Sequence, residues 1–228
     1  MEKRVVVIIP AYNEERTITG VIRGLNQQGL TRLIVIDDGS SDHTSELAAH
    51  EDVILLRHIL NRGLGGALGT GIKAALRLGA EVIVTFDADG QHDPDDIPRL
   101  LEPIEKGEAD VVIGSRMLAP LGMPYQRRLA NWIANVVTYL LFGGWVTDSQ
   151  SGLRAFSRQA AARMRLMTRG MEVSSEIIAE TVKNRLKRQE VPIKAIYTDY
   201  SLSKGQSFNV GLQTLMRLIL AKVQRLTL

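Results

Sequence analysis

Short apolar runs alternate with amphipathic stretches through the first half of the chain. The runs are rich in Val and Ile and nearly continuous, which is typical of parallel strands buried on both faces. They cover residues 4–10, 32–39, 52–58 (the weakest), 81–90 and 110–116. The stretches between them repeat apolar residues with helical spacing, over 14–28, 41–50, 65–79 and 93–107. This alternation of strand and helix predicts a doubly wound α/β sheet.

The second half contains an uncharged stretch, 129–147, that approaches the roughly 20 apolar residues of a membrane span. Asn131, Asn135 and a Gly-Gly pair interrupt it, and Trp132 and Trp145 sit near its two ends. This pattern favours a helix that lies in a bilayer interface or covers a lipid groove. A plain buried helix is the alternative.

The rest of the chain shows mixed patterns but no internal repeat, low-complexity tract or Pro/Ser linker. The predicted elements are a strand at 153–157, a basic helix from Arg158, a longer helix over 172–189, a strand over 191–201 and an amphipathic, basic tail over 210–228.

Charge is distributed unevenly along the 228 residues, although the net charge is only +3. Residues 1–114 hold 11 Lys and Arg against 19 Asp and Glu, a net charge of −8, and residues 115–228 hold 17 against 6, a net charge of +11. The basic half attracts phosphates, nucleic acid or a lipid surface, and the acidic half attracts a cation. The absence of cysteine excludes disulfides, thiolate metal sites and cysteine nucleophiles. The N-terminus lacks a signal-peptide pattern, so we expect a cytoplasmic protein.

Four of the predicted strands end in distinctive polar segments: PAYNEE, DDGSSD, DADGQHD and GSR. In open parallel sheets, ligands bind at the carboxyl ends of the strands, so we expect these four segments to converge on one crevice. The alternative is that they are only turns and helix caps, which use the same residue types.

Asp87 and Asp89 are separated by one residue, which directs both side chains to the same face of a strand end. Carboxylates placed so close together repel one another, and a hard divalent cation would relieve that repulsion. Mg²⁺ or Mn²⁺ suits an oxygen-only site that also takes oxygens from a substrate phosphate. For His92 we expect exposure to solvent beside the turn rather than a role as a metal ligand.

The ordered segments PAYNEE, DDGSSD, NRGLGGAL, DADGQHDP, GSR and DSQSGLRAF resemble the inverting glycosyltransferases of family 2. Within that family they are similar to the polyprenyl-phosphate glycosyltransferases, of the dolichol-phosphate mannose synthase type, over about residues 4–207. The resemblance implies a GT-A fold, a Rossmann-like and mostly parallel sheet flanked by helices. It also implies one catalytic domain over 1–228, with a nucleotide-binding half at 1–116 and an acceptor- and membrane-facing half at 117–228.

The resemblance assigns residues to a nucleotide-sugar donor and its metal ion. The implied donor-binding residues are Pro10, Tyr12, Glu14, Asp37, Asp38, Asp87, Ala88, Asp89, Gln91 and Lys204. The first three would line the nucleoside pocket, and the Asp pair at the second strand would face the base or ribose. Asp87, Asp89 and Gln91 would bind Mg²⁺ or Mn²⁺, with Asp89 the first choice for direct contact. Lys204 and Ser207 occupy the stretch that closes over the diphosphate in relatives.

The implied acceptor is a polyprenyl or dolichyl phosphate, bound by Arg116, by Arg127 or Arg128, and beside Asn131. Together with Asp89, these arginines are the residues expected to carry catalysis. A lipid phosphate is already anionic, so that arginines need only position it through paired hydrogen bonds. Family members that use sugar hydroxyls need a carboxylate base and often carry a later Q/R-x-x-R-W signature, which is absent here. A hydroxyl acceptor is the alternative, and the donor, GDP-mannose or a UDP-hexose, stays open.

A lipid acceptor predicts peripheral association with the cytoplasmic face of the membrane, and a separate membrane-anchor partner stays open. Anionic headgroups attract each Lys or Arg by about 1 kcal/mol near the surface. The arginines expected to serve this purpose are Arg154, Arg158, Arg163, Arg165 and Arg169, with a solvated basic helix as the alternative.

Three other protein classes fit the sequence less well. A Rossmann dehydrogenase needs G-x-G-x-x-G after the first strand, where this chain has PAYNEE, and the GLGGALG segment comes too late. A P-loop NTPase needs G-x-x-x-x-G-K-[ST], which GGALGTGIK does not match. A nucleic-acid-binding module would account for the basic half but not for the acidic strand ends, and aromatic residues are only 5%. We therefore expect no nucleic-acid partner.

Overall fold

The computed structural model describes residues 4–120 and 122–196. Lys204, Ser207, the amphipathic tail and the end of the last predicted strand lie outside the described residues.

The described residues contain one seven-stranded sheet with the order β3-β2-β1-β4-β6-β5-β7. Strand β6 runs antiparallel to both of its neighbours, β4 and β5, and the other four pairings are parallel. The strands are β1 (Val5–Ala11), β2 (Leu33–Asp37), β3 (Ile54–Arg57), β4 (Val82–Thr85), β5 (Val111–Ser115), β6 (Arg154–Ser157) and β7 (Arg188–Pro192).

Helices connect the strands and cover both faces of the sheet. They are α1 (Ile18–Gln27), α2 (Thr44–Ala49), α3 (Leu64–Arg77), α4 (Ile97–Glu105), α5 (Tyr125–Phe142), α6 (Arg158–Arg163) and α7 (Val173–Lys183), with a 3₁₀ turn at Pro94–Asp96. Helices α1 and α4 pack on one face, against the side of β1 that carries Val7 and Ile9. Helices α3, α6 and α7 pack on the other face, where Val6 and Ile8 point. Successive strand residues are thus buried on opposite faces, which confirms the predicted doubly wound α/β sheet.

The five apolar runs of the first half are all strands, and four are almost wholly buried. Strands β2, β4 and β5 are buried at every position, whereas β3, the weakest predicted strand, is the partly exposed edge. The predicted strand at 153–157 is confirmed as β6. The first half could be read from its pattern because every strand there is short, apolar and followed by a helix.

The helix predicted over 172–189 is confirmed as far as Lys183, and its predicted extension to residue 189 was wrong. Helix α7 ends at Lys183, and Arg185 adopts a left-handed backbone conformation with φ of 52°. The chain then enters β7, which pairs with β5 at the sheet edge and begins before the predicted start of the last strand. Helical spacing of apolar residues continues past residue 183, but the hydrogen bonds offered by the edge of β5 determine the structure there.

The uncharged stretch at 129–147 forms most of α5, which begins earlier, at Tyr125, and ends at Phe142. Gly143 and Gly144 follow with φ of 72° and 75°, a conformation that other residues rarely adopt. In the ranges that the structure describes, no helix combines the length and the hydropathy needed to cross a bilayer.

Candidate active site

The ends of β1 and β2 are tied together by hydrogen bonds between the loops that follow them. The backbone N–H of Asn13 donates to Ser40 Oγ at 3.0 Å, and Asn13 Oδ1 accepts from Ser41 N at 2.9 Å. Glu14 N donates to Thr44 Oγ1 at 2.8 Å. Asn13 has φ of 55°, a left-handed conformation that Asn tolerates better than most residues. PAYNEE and DDGSSD therefore form one joined surface, as the convergence of strand ends predicted.

Of the residues predicted to line a nucleoside pocket, Tyr12 is the most open to solvent. Tyr12 follows the last residue of β1 and is 48% exposed. Pro10 and Glu14, on either side of it in sequence, are half-buried. Glu14 Oε2 accepts a hydrogen bond from Thr17 Oγ1 at 3.2 Å. The three residues thus line the rim of β1, and their contact with a nucleoside stays a prediction.

The contact of Asp38 with a base or ribose stays a prediction. In the structure the chain itself uses both carboxylate oxygens of Asp38. Oδ1 lies 2.6 Å from His58 Nδ1 and accepts from Arg62 N at 2.9 Å, and Oδ2 accepts from Gly63 N at 2.7 Å. Asp38 is only 3% exposed. Its carboxylate therefore holds the loop between β3 and α3 in place.

Asp37 remains a candidate for donor binding, although it is fully buried. Its Oδ1 accepts from Ser40 N at 2.9 Å. Its Oδ2 lies 3.2 Å from Arg57 Nε, but it has no aligned hydrogen-bond donor among the described residues. The ion pair with Arg57 compensates the charge of this buried oxygen, and a contact of Asp37 with the donor stays a prediction.

Asp87, Ala88, Asp89 and Gln91 lie together beyond the end of β4. Ala88 is buried, whereas the Asp87 side chain is 33% exposed and Asp89 is half-buried. Asp89 accepts hydrogen bonds from the backbone N–H of Gln91 at 3.0 Å and from the Gln91 side-chain amide. The segment is thus folded around its own carboxylates, and Gln91 is held beside Asp89.

The two acids have pKa values shifted in opposite directions. Burial raises the pKa of Asp89, and the negative charge of Asp87 raises it further. Burial acts the same way on Asp87, but the hydrogen bond with His92 and the charges of Arg116 and Arg154 outweigh it and lower its pKa. Asp87 is therefore ionised at neutral pH, and its charge adds to the unfavourable effect of burial on ionisation of Asp89.

The donor set of this segment fits an open divalent-cation site completed by a substrate. It offers the oxygen atoms of two carboxylates and one amide, and such oxygen ligands suit Mg²⁺ or Mn²⁺. Within the described ranges, no group of three or more His, Asp or Glu residues could enclose a metal ion by itself. A cation here would lower the cost of ionising Asp89 next to Asp87.

The expectation that His92 is exposed to solvent was wrong. His92 is 4% exposed, with Nε2 3.1 Å from Asp87 Oδ2 and its ring edge-on to Phe86 at 5.7 Å between centroids. It is anchored by a bridge between its backbone and Ala195, which no local pattern indicates. His92 therefore supports Asp87 from within the fold.

The remaining acids of the DADGQHDPDD segment have structural roles. Asp93 caps the 3₁₀ turn by accepting from Asp95 N at 3.1 Å. Asp96 is buried and binds Arg99 and the backbone of Lys194, at 2.9 and 2.8 Å. The closely spaced acids of this segment thus have two roles. Asp87 and Asp89 lie at the candidate site, and the acids that follow stabilise the start of the next helix.

Arg116, directly after β5, forms a bidentate ion pair with Asp148. Its Nε and Nη2 donate to Asp148 Oδ2 and Oδ1 at 2.8 and 2.9 Å, and its backbone N–H donates to Oδ2 at 3.1 Å. Asn131 of α5 also reaches Asp148 Oδ1, at 3.5 Å. Asp148 is fully buried and the Arg116 side chain is 17% exposed. Asp148 therefore links the two predicted acceptor residues Arg116 and Asn131. No role for Asp148 was predicted from the sequence.

The structure separates Arg127 from Arg128. Arg127 Nη1 lies 3.4 Å from Gln91 Oε1, so that α5 meets the segment containing Asp87 and Asp89. Arg128 is exposed on the next position of the helix. Of the two candidates, Arg127 is the one that lies at the junction between the predicted donor and acceptor groups.

Two of the arginines predicted to face lipid headgroups form hydrogen bonds within the chain, Arg154 in the interior and Arg158 at the surface. Arg154 is 1% exposed, and its Nη2 donates to Ser149 O at 2.8 Å. Burial lowers the pKa of Arg154 to about 10, which leaves it charged at neutral pH, and Asp87 and Asp148 both favour that charge. Arg158 donates to the carbonyls of Leu76 and Ala80. The prediction was therefore wrong for Arg154, because β6 lies in the middle of the sheet.

His92, Asp148 and Gly152 are the site residues that sequence reasoning missed. All three lie inside the segments DADGQHDP and DSQSGLRAF, so position within an ordered set of motifs was the available signal. Gly152 borders Asp87 so closely that any side chain there would overlap the carboxylate. Its place beside residue 87 depends on the pairing of β6 with β4.

The fold is shared with solved glycosyltransferase structures of the GT-A type. Glucosyl-3-phosphoglycerate synthase from Mycobacterium tuberculosis, crystallised with Mn²⁺, UDP and phosphoglyceric acid, superimposes with a TM-score of 0.72 at 21% identity. The match covers 96% of this chain and 78% of the synthase chain. It confirms the predicted GT-A fold.

Sequence relatives agree with that fold. An uncharacterized protein of Methanocaldococcus jannaschii is 49% identical over 95% of this chain and 91% of its own length. The UDP-N-acetylglucosamine–dolichyl-phosphate N-acetylglucosaminyltransferase of Methanococcus voltae is 39% identical over 97% of both chains. The sequence profile described as Glycosyl transferase family 2 matches residues 6–165. The chain is therefore a glycosyltransferase that belongs to glycosyl transferase family 2.

Proposed function

We propose that this glycosyltransferase moves a sugar from a nucleotide-diphosphate sugar to a polyprenyl or dolichyl phosphate, with inversion at the anomeric carbon. The donor would lie over the joined ends of β1 and β2 and reach the segment Asp87–Gln91. The acceptor phosphate would bind between Arg116 and Arg127. The name of the Methanococcus voltae relative supports a lipid-phosphate acceptor.

The observation that supports the proposal most directly is the hydrogen bonding of Asp148. It is the carboxylate beside the predicted acceptor residues, and both of its oxygens already accept hydrogen bonds from Arg116. A hydroxyl acceptor needs a base to remove its proton, and a buried carboxylate paired in this way is a poor base. A phosphate needs no base, and it benefits from a guanidinium held in a fixed plane.

On the donor side, Asp87, Asp89 and Gln91 would hold Mg²⁺ or Mn²⁺. When bound, such an ion would stabilise the negative charge that develops on the departing diphosphate. Asp87 is prepared for this role because His92, Arg116 and Arg154 keep it ionised. Asp89 is half-buried beside it, and a cation between the two acids would offset their mutual repulsion.

On the acceptor side, a phosphate oxygen would attack the anomeric carbon as the bond to the diphosphate breaks. The electron pair of that bond leaves with the nucleoside diphosphate, and no proton has to be transferred. Arg127 contacts Gln91, so the acceptor arginines lie near the donor segment. Positioning of two reactants in this way can lower a barrier by several kcal/mol.

For the donor we favour a UDP-activated sugar, and GDP-mannose is the second candidate. The name of the Methanococcus voltae relative specifies UDP-N-acetylglucosamine, and the solved synthase was crystallised with UDP. Binding of UDP in preference to GDP, measured by calorimetry with Mn²⁺, would support the first candidate, and the reverse preference would support the second.

We also propose peripheral association with the membrane surface through α5. Its exposed face carries large apolar residues at helical spacing, and its buried face carries the polar residues Asn135 and Thr138. The exposed residues are Tyr125, Leu129, Trp132, Ile133, Tyr139 and Leu140. A helix with its apolar side outward is suited to the headgroup region of a bilayer. Within the described ranges this is the feature that best fits contact with a lipid acceptor.

The experiment that tests the function is transfer of labelled sugar to a short-chain polyprenyl phosphate in the presence of Mg²⁺ or Mn²⁺. UDP-N-acetylglucosamine, UDP-glucose and GDP-mannose are compared, with the dephosphorylated polyprenol as control. We expect product with the phosphate and none with the alcohol. Equal transfer to the alcohol, or transfer only to free sugars, would overturn the proposed acceptor.

A further inference from the structure

The segment between α5 and β6, residues 147–153, is a polar loop buried inside the protein. Asp148, Ser149 and Ser151 are all fully buried. Glu190 of β7 accepts hydrogen bonds from Thr147 N and Oγ1, at 2.8 and 2.7 Å, and from Asp148 N at 3.3 Å. Asn135 of α5 accepts from Ser149 N at 2.8 Å. Two elements thus hold the segment from outside through hydrogen bonds to buried groups, and Ser151 Oγ is the buried side-chain atom of the loop with no hydrogen-bond partner among the described residues.

One end of this segment holds Arg116. The bidentate pairing with Asp148 fixes the plane of the guanidinium. The hydrogen bond from the Arg116 backbone N–H to the same carboxylate fixes the main chain from which the side chain extends. Ser115 Oγ also pairs with Thr147 Oγ1 at 2.6 Å, so that the end of β5 is bound to the segment at two successive residues.

The other end of the segment lies against Asp87. A Cβ atom on Gly152 would overlap both carboxylate oxygens of Asp87. The Gly152 backbone is outside the left-handed region, so glycine is required here by space and not by conformation. Thr85 Oγ1 donates to Gly152 O at 2.6 Å and fixes the distance between this backbone and β4.

We propose that Asp148 and Gly152 are positioning residues that set the separation between the donor-side acid Asp87 and the acceptor-side Arg116. This inference rests on the proposed function, since it assigns the two ends to two substrates. Because only three residues separate Asp148 from Gly152 and the loop is held by Glu190 and Asn135, the loop keeps its two ends at a fixed spacing.

Each end contacts a different site residue directly, so we expect a side-chain change at one end to affect mainly the substrate beside it. Gly152→Ala displaces Asp87, and we expect the Mn²⁺ concentration for half-maximal activity to rise about tenfold, as for other groups that orient a metal ligand. Asp148→Asn loosens Arg116, and we expect KM for the polyprenyl phosphate to rise about tenfold with Mn²⁺-dependent binding of UDP or GDP unchanged. A general loss of structure would instead affect both measurements in both variants.

Matched controls come from the same chain. Gly69→Ala places a methyl group on α3 with no heavy atom within 4 Å, and Asp110→Asn changes an acid whose carboxylate accepts from the backbone N–H of Lys187. Both should leave the two measurements unchanged. If Gly152→Ala does not fold, Thr85→Val removes the bond to the Gly152 carbonyl with little change of shape, and it should raise the Mn²⁺ requirement in the same direction.

The outcomes separate the inference from the function on which it rests. If the unmodified enzyme transfers sugar to the lipid phosphate but Gly152→Ala and Thr85→Val keep the normal Mn²⁺ requirement, the inference is wrong. It is equally wrong if Asp148→Asn changes metal dependence and leaves the acceptor KM unchanged. If the unmodified enzyme uses no lipid phosphate, the proposed function and the acceptor role of Asp148 fail, and calorimetric Mn²⁺ titration of Gly152→Ala with UDP or GDP still decides the role of Gly152.

Discussion

The imidazole of His92 lies against Asp87, with Nε2 3.1 Å from Oδ2, in a position that is closed to solvent. With its proton on Nε2, His92 donates to the carboxylate and orients it. We expect His92→Leu to raise the Mn²⁺ requirement of transfer about tenfold, in the range found when groups that orient a metal ligand are removed. His92→Gln, which retains an N–H donor, should recover part of this loss. Equal Mn²⁺ titrations for the two variants would contradict the orienting role.

Asp89→Asn keeps the size of the side chain and removes its charge. Because the metal contact is assigned first to Asp89, we expect transfer to fall about 100-fold or more while the thermal unfolding midpoint is retained. Asp95→Asn, at an exposed acid of the same segment, is the control and should leave activity intact. Full activity of Asp89→Asn with saturating Mg²⁺ or Mn²⁺ would refute the metal role.

Arg127 and Arg128 are adjacent in sequence but differ in surroundings, since only Arg127 contacts Gln91. We expect Arg127→Ala to raise KM for the polyprenyl phosphate about tenfold, as expected for loss of a charge-assisted hydrogen bond, and Arg128→Ala to have a smaller effect. Steady-state kinetics at fixed donor concentration measure the difference. The reverse order of effects would show that the acceptor approaches from the other side of α5.

The exposed apolar face of α5 predicts binding to lipid bilayers. Trp132 and Leu140 are 53% and 70% exposed, and burial of such side chains contributes about 1.5–3 kcal/mol each. We expect the double change Trp132→Ser and Leu140→Ser to weaken co-sedimentation with anionic vesicles at least about tenfold. Leu78→Ser, at a half-exposed leucine directly after α3, should bind as the unmodified protein does. Identical sedimentation of all three proteins would exclude α5 as the contact.

The hydrogen bonds of Asp38 indicate that this residue stabilises the fold. Asp38→Ala would leave His58 and the N–H groups of Arg62 and Gly63 without their acceptor, so we expect a loss of about 2–3 kcal/mol in the free energy of unfolding. Denaturant titration measures this, with Glu46→Ala at an exposed acid as control. Unchanged stability together with lost nucleotide affinity would instead support the predicted contact between Asp38 and the nucleotide.

The sequence predicted the sheet and the convergence of strand ends well, because apolar runs and polar tips are local properties of parallel strands. It failed at residues 184–189, where helical spacing continues but pairing with β5 produces a strand. It also misjudged His92 and Arg154, whose burial depends on neighbours distant in the chain. A lone His beside a turn or an Arg at the start of a strand carries no local sign of such neighbours.

What the sequence determined by itself is the order of strands and helices and the chemical types at each strand end, because both follow from backbone periodicity and the short reach of a turn. Only the tertiary structure decided which polar groups are used internally and which face the crevice. Asp38 binds His58, 20 residues away in sequence, and Asp148 binds Arg116, 32 residues away. Gly152 contacts Asp87 because β6 pairs antiparallel to β4. Contacts of that range depend on how the chain closes on itself, and no local pattern of residues encodes them.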